Sequence, residues 1–74
     1  HLRTQRERQR SLLSDREQEV LALLAEGLST QQIADRLILG LSTIKTHLRN
    51  VYDKLEVNDR AGAVAEAMRR GLIR

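Results

Sequence analysis

The chain has 74 residues and no cysteine, which allows one domain with a small core and excludes a disulfide or a cysteine-based metal site. Its net charge of +3 comes entirely from residues 1–10, so the overall basicity is weak evidence for a nucleic-acid partner. No apolar run approaches the roughly 18 residues of a membrane span and no signal peptide is visible, so we expect a soluble cytoplasmic protein with no cofactor and no membrane partner.

The sequence divides into two parts. It begins with His1 rather than methionine, which indicates a piece of a longer protein. Residues 1–12 are polar and basic and predict a linker or a helical extension. Residues 13–74 are predicted to form the domain, which is all-α because leucine, alanine, glutamate, arginine and glutamine dominate.

The first helix is predicted from Asp15 to Glu26. Ser14 and Glu17 have the spacing of a capping box, in which each side chain bonds the other residue's backbone N–H. Gly27 can adopt the left-handed conformation that ends a helix. A second capping box, at Ser29, predicts a second helix.

The second helix, Thr30–Leu37, is followed by a turn at residues 38–40 and a third helix, Leu41–Leu55. On a helical wheel the large apolar residues of the third helix fall within about 60° of one another. Its polar residues occupy the opposite side. They are Ser42, Lys45, Thr46, Arg49, Asn50 and Asp53.

The fourth helix is predicted from Asp59 to Arg70, with Asn58 as its N-cap. Four residues are expected to face the core: Ala61, Val64, Ala67 and Met68. Glu17 and Arg60 are charged residues on faces that are otherwise apolar. Because a buried charge is costly unless it is paired, we predict an ion pair between them. Alternatively, Glu17 only caps its own helix and Arg60 reaches water.

Two helices joined by a tight turn, the second with a polar outer face, describe a helix-turn-helix, which inserts its second helix into the major groove of DNA. Lys45 and Arg49 can donate to guanine, and Thr46 and Asn50 can contact a base or a phosphate. Thr43, His47 and Lys54 lie along one flank, suited to backbone oxygens. Gly40 leaves the first amides of the third helix open to a phosphate.

The motifs LSDREQEVLALLAEGLSTQQIADRL, STIKTHLRNVYDKL and VNDRAGAV resemble the LuxR/GerE helix-turn-helix family, which includes the output domains of response regulators. The resemblance covers about Leu13 to Ile73. It implies a four-helix domain that regulates transcription, usually as a dimer on an inverted repeat, downstream of a regulatory domain in the same chain. By the same resemblance, Lys45, Thr46 and Arg49 match base-contacting positions. Thr30, Thr43, Asn50 and Lys54 match backbone-contacting positions, and His47 matches a family histidine that packs or contacts phosphate.

Small residues on the fourth helix predict a dimer contact, since glycine in a helix is tolerated where another helix comes close. The residues expected at this contact are Gly62, Ala63, Ala65 and Glu66. The alternative is a smooth solvent-exposed face. A contact with RNA polymerase is left open.

Three other functions fit the sequence less well. The promoter-binding region of a sigma factor has a sequence pattern similar to that of the first three helices but usually lacks the fourth helix. A small protein-interaction module explains the small-residue face but not the shared exposed face of Lys45 and Arg49. An enzyme is disfavoured because the chain has no Gly-rich phosphate loop and no histidine–carboxylate pair at useful spacing.

Overall fold

The computed structural model describes residues 13–73, in which four helices and no strand occur. They are α1 (Asp15–Ala25), α2 (Thr30–Leu37), α3 (Leu41–Leu55) and α4 (Arg60–Arg69). The linker or helical extension predicted at residues 1–12 lies outside the described residues. The all-α architecture with a helix-turn-helix, formed by α2 and α3, is confirmed.

Both predicted capping boxes are present. The Glu17 backbone N–H donates to Ser14 Oγ at 3.1 Å, and the Ser14 N–H donates to Glu17 Oε1 at 2.9 Å. Ser29 and Gln32 make the same reciprocal pair at the start of α2. Because these bonds satisfy amides that the helix itself leaves unpaired, they fix where α1 and α2 begin.

The core is built mainly on α1 and α3, each of which packs against every other helix. Each large aliphatic side chain that is fully buried contributes roughly 1.5–3 kcal/mol relative to its exposed state. The inward stripe of α3 is confirmed, so its polar stripe faces solvent. The fully buried large side chains are Val20, Leu21, Ile33, Ile44, Val51 and Leu55.

The predicted inward face of α4 is right for Ala67 and wrong for Ala61 and Met68. Its buried residues are Ala63 and Ala67, whereas Ala61 is exposed and Met68 is 57% exposed. The N-cap is Asp59, not Asn58, and the Asp59 side chain accepts from the Gly62 N–H at 2.7 Å. The alternating alanines of this helix suit either face, so the hydrophobic pattern does not determine its rotation.

Contacts within the chain explain why residue 62 is a glycine. A Cβ added there would lie 3.1 Å from Asp59 Oδ1 and 3.3 Å from Val57 Cβ. The space beside Gly62 is therefore occupied by the turn that precedes α4, and a partner helix is not needed to explain the glycine.

Two helices end at a residue in the left-handed conformation that is not glycine. Ile38 ends α2 with φ 56° and Glu56 ends α3 with φ 59°. This conformation costs an L-residue roughly 1–2 kcal/mol, and a β-branched residue such as isoleucine is a genuine outlier there. The side chain of Ile38 is 89% exposed, so it recovers little of that cost through packing.

Replacing Ile38 with glycine is expected to stabilise the domain by about 1 kcal/mol, because the relief of backbone strain exceeds the entropy that glycine loses on folding. Urea unfolding measures the change. Ile38→Ala serves as the control, since alanine removes the apolar side chain but keeps the strained backbone. Equal midpoints for the glycine and alanine variants would contradict the strain argument.

Candidate nucleic-acid interface

The outward face of α3 presents a continuous set of polar side chains. Because α3 buries one aliphatic stripe, the residues about half a turn away must face solvent. His47 lies at the edge of this face and is half-buried. The exposed residues on it are Ser42, Thr43, Lys45, Thr46, Arg49, Asn50 and Asp53, as the sequence predicts. Thr30, at the start of α2, is half-buried.

Lys45 and Arg49 on this face have no bonding partner among residues 13–73. Among residues 13–73, Arg36, Lys45 and Arg49 make no ion pair and no side-chain hydrogen bond to another described residue. The other lysine and arginine side chains of that range bind a carboxylate or a carbonyl oxygen. Two of these three cations, Lys45 and Arg49, therefore lie four residues apart on α3, where they can bind an anion. Arg36, on α2, was not singled out by the sequence.

Other groups on α3 can also form hydrogen bonds. Gly40 caps α3 without a side-chain bond, so the first amides of the helix remain available to an acceptor, as expected. The hydroxyl of Thr46 donates to the Ser42 carbonyl oxygen at 3.1 Å. This bond occupies the hydroxyl proton of Thr46.

A shallow groove of about 360 Å³ runs along one side of the α3 face. Lys45, Arg49 and Asp53 line it, together with Tyr52 and Asn58. Tyr52 is half-buried, and that burial raises the pKa of its hydroxyl. It packs against the core, as expected, and stays protonated at neutral pH.

The predicted Glu17–Arg60 ion pair is wrong. Glu17 Oε1 lies 2.6 Å from Lys54 Nζ, so the carboxylate ties the first turn of α1 to the last turn of α3. The Glu17 side chain is 6% exposed, whereas the Lys54 side chain is 37% exposed. The sequence predicts that Lys54 contacts the DNA backbone, and the structure shows that its ammonium also has a partner within the protein.

Arg60 has a different partner because it meets the other end of α1. Its Nη2 donates to the Leu24 carbonyl oxygen at 2.8 Å. Leu24 lies seven residues beyond Glu17, a distance of about 10 Å along the helix axis. A cation at the C-terminal end of a helix is favourable, because the last carbonyls lack partners and carry partial negative charge.

The contacts of Glu17 displace its pKa in opposing directions. Burial raises the pKa, but the Lys54 ammonium and the Ser14 groups outweigh that effect and hold it below the usual value. Glu17 is therefore ionised at neutral pH, and its charge is compensated by Lys54. Sequence reasoning identified Glu17 as a structural residue but assigned it the wrong partner.

The residues predicted for a dimer contact lie in several environments on α4. Ala65 is exposed, Gly62 and Glu66 are half-buried, and Ala63 is fully buried in the core. Ala63 therefore has no surface to offer a partner, which corrects its assignment. The exposed apolar residues are Ala61, Ala65 and Met68, at spacings of four and three, and they form one stripe.

Glu66 is bound by Arg69 and Arg70 at the edge of this stripe. Hydrogen bonds from Arg69 and then Arg70 lower the pKa of Glu66 to about 2. Within residues 13–73 there is no cluster of potential metal ligands. No helix in that range is long and apolar enough to cross a membrane.

Comparisons with known proteins identify the family. The profile described as "Bacterial regulatory proteins, luxR family" matches residues 11–67. The chain is 53% identical over 62 residues to the probable transcriptional regulatory protein NarL of Mycobacterium tuberculosis, covering 84% of this chain and 29% of that protein. It is 45% identical to the response regulator protein VraR of Staphylococcus aureus, covering 84% of this chain and 30% of VraR.

Solved structures agree with this match. The transcription factor GerE superposes with a TM-score of 0.79 at 35% identity, covering 85% of this chain and 94% of GerE. The response regulator ChrA superposes with a TM-score of 0.80 at 44% identity, covering 82% of this chain and 30% of ChrA. The chain spans less than a third of the length of NarL and VraR. It therefore belongs to the luxR family of bacterial regulatory proteins, as a helix-turn-helix DNA-binding domain.

Proposed function

We propose that α3 reads base edges in the major groove of double-stranded DNA, with Lys45, Thr46 and Arg49 as the base-contacting residues. The observation that carries the proposal is that Lys45 and Arg49, on the exposed face of α3, have no partner among residues 13–73. A helix fits the major groove, where lysine and arginine donate to the O6 and N7 of guanine. The methyl group of Thr46 is suited to a thymine methyl, since its hydroxyl is occupied.

We propose that the residues around these base-contacting side chains bind phosphates. The open amides after Gly40 suit a phosphate oxygen, and the hydroxyls of Ser42 and Thr43 lie in the same first turn. Thr30, His47 and Asn50 complete the proposed set. Such contacts fix the position of the domain on the duplex but do not distinguish sequences. The contact predicted for Lys54 stays a prediction, because Glu17 already holds its ammonium.

We also propose that two copies bind an inverted repeat through α4. Support comes from the exposed stripe of Ala61, Ala65 and Met68, which is apolar and has no partner within the described residues. Gly62 and Glu66 lie at its edge. Small residues permit two helices to approach closely. A two-fold arrangement would place two α3 helices about 34 Å apart, one turn of DNA.

In this proposal the domain is the output end of a longer transcription regulator. NarL and VraR are named as regulatory and response-regulator proteins, and each is more than three times the length of the matched region. An upstream regulatory domain in the same chain would then control access to DNA or dimer formation. Contact with RNA polymerase would follow binding near a promoter.

Selection from a random duplex pool tests DNA reading when the target sequence is not known in advance. A major-groove reader is expected to enrich one sequence, and a dimer is expected to enrich it as an inverted repeat with half-sites about 10 base pairs apart. A protein-interaction module would enrich no sequence. Failure to enrich any motif at low salt would remove the proposed function.

Replacing Ala65 with arginine tests the dimer contact. The added charge and bulk are expected to reduce the number of protein copies bound per selected duplex from two to one, as measured by sedimentation, and to leave one half-site occupied. Gln31→Arg is the matched control, because this exposed α2 position lies off the α4 stripe. Unchanged stoichiometry for the Ala65 variant would remove this stripe from the interface.

A further inference from the structure

A carboxylate without a partner among residues 13–73 lies on the proposed DNA-reading face of α3. Asp53 lies eight residues after Lys45 and four after Arg49, spacings that place all three on one side of the helix. The structure confirms the placement, since the three side chains line the same groove. A face used to bind phosphates and bases thus carries a negative charge near its C-terminal end.

The contacts within residues 13–73 do not explain why residue 53 is an aspartate. It is exposed, and within residues 13–73 it makes no ion pair and no side-chain hydrogen bond, although Arg49 stands at a spacing that permits one. It also lies in the last turn of α3, where the negative end of the helix dipole disfavours a carboxylate. Nothing within the described fold therefore favours an acid at this position.

The adjacent Lys54 does not compensate the negative charge that Asp53 presents to DNA. Lys54 is the one cation of the last α3 turn, and its ammonium is bound by Glu17 on α1. The cationic part of the α3 face therefore ends at Arg49. Beyond that point α3 presents the carboxylate of Asp53 and the ammonium of Lys54, which is exposed but bound to Glu17.

We propose that Asp53 repels the DNA phosphates and so limits the affinity of a single domain for any duplex. This inference rests on the proposed function of α3. In a helix-turn-helix the N-terminal residues of the recognition helix contact base edges, and Asp53 is two residues from the C-terminal end of α3. It therefore faces the phosphate backbone rather than cytosine N4. Weak binding by one copy makes occupancy depend on two half-sites being bound together.

Asp53→Asn keeps the shape of the side chain and removes its charge. Affinity for a random-sequence duplex is expected to rise on the order of threefold to tenfold, because one repulsion with the backbone is lost. The plot of log K against log salt is expected to steepen by up to about 0.9, the contribution of one charge. Glu26→Gln makes the same change in net charge on the exposed end of α1, outside this groove, and is expected to have less than about a twofold effect.

Three results would overturn the proposal. Unchanged binding by the Asp53 variant, while Lys45→Ala weakens binding, would place the carboxylate off the DNA surface but leave the proposed function intact. If the Asp53 variant loses affinity for the selected duplex but not for random-sequence duplexes, Asp53 contacts a cytosine base. No duplex binding by the unmodified chain would remove the proposed function and this inference together. Urea midpoints of the variants separate these results from a change in folding.

Discussion

Arg49→Ala is expected to weaken binding to the selected duplex by about 1–3 kcal/mol and to relax the preference for one base pair of each half-site. Arg49 is exposed and has no partner within the described residues, so its removal leaves the fold intact. Lys45→Ala is expected to act in the same way at a neighbouring base pair. Fluorescence anisotropy on the selected duplex and its single-base variants measures both effects.

The matched control for Arg49 is Arg36→Ala. Arg36 is also an exposed arginine without a partner in residues 13–73, but it lies on α2 beside a different surface groove. Its loss changes the net charge equally and is expected to leave base preference unchanged. If both variants weaken all duplexes to the same extent, α3 binds by charge alone and does not read bases.

Breaking the Glu17–Lys54 contact is expected to have the second large effect, on stability. Lys54→Met is expected to cost about 2 kcal/mol, because it leaves a buried carboxylate without its cation. Glu17→Gln is expected to cost about 1–2 kcal/mol, since the partner left behind is partly solvated. The double variant is expected to cost less than the sum of the two. Urea unfolding of all four proteins gives the coupling free energy, and an additive result would show that the contact is worth nothing.

The dependence of this effect on pH follows from the lowered pKa of Glu17. A carboxyl whose pKa is lower in the folded state stabilises the fold fully above its ordinary pKa of 4.5, and that contribution is lost as the pH falls through the folded-state value. The stability difference between the unmodified chain and Glu17→Gln is therefore expected to be larger near pH 7 than near pH 3. A constant difference would mean that the charge of Glu17 does not matter.

The same lysine variant tests whether Lys54 also contacts DNA. If the ammonium serves only Glu17, Lys54→Met leaves the salt dependence of duplex binding unchanged. If it also neutralises a phosphate, the slope of log K against log salt falls in magnitude by about 0.9. This measurement decides between the sequence-based prediction and the role that the structure gives Lys54.

The sequence predicted α2 and α3 correctly because local signals set their limits. A capping box starts α2, and the aliphatic stripe of α3 contains large residues that suit only one face. In α4 the apolar residues are mostly alanine at alternate positions, which provides no comparable preference. The exposed face of α3 was therefore predictable, whereas the exposed face of α4 was not.

The sequence also could not predict which partners the buried charges take. The pattern identified Glu17 and Arg60 as charges that need partners, and both obtain one. Which partner each takes depends on which helix ends meet. The N-terminal turn of α1 meets α3, and its C-terminal turn meets α4. That arrangement is a property of the packed helices, and no short-range motif encodes it.

The polar contacts of α1 have a consequence for cooperativity. Glu17 holds the end of α3, the Leu24 carbonyl oxygen holds Arg60 of α4, and Gln18 Nε2 donates to the Leu72 carbonyl oxygen at 2.7 Å. Detaching α1 therefore breaks a bond to each of three other segments at once. We expect no partly open form that lacks α1, so the recognition helix keeps its orientation until the whole domain unfolds.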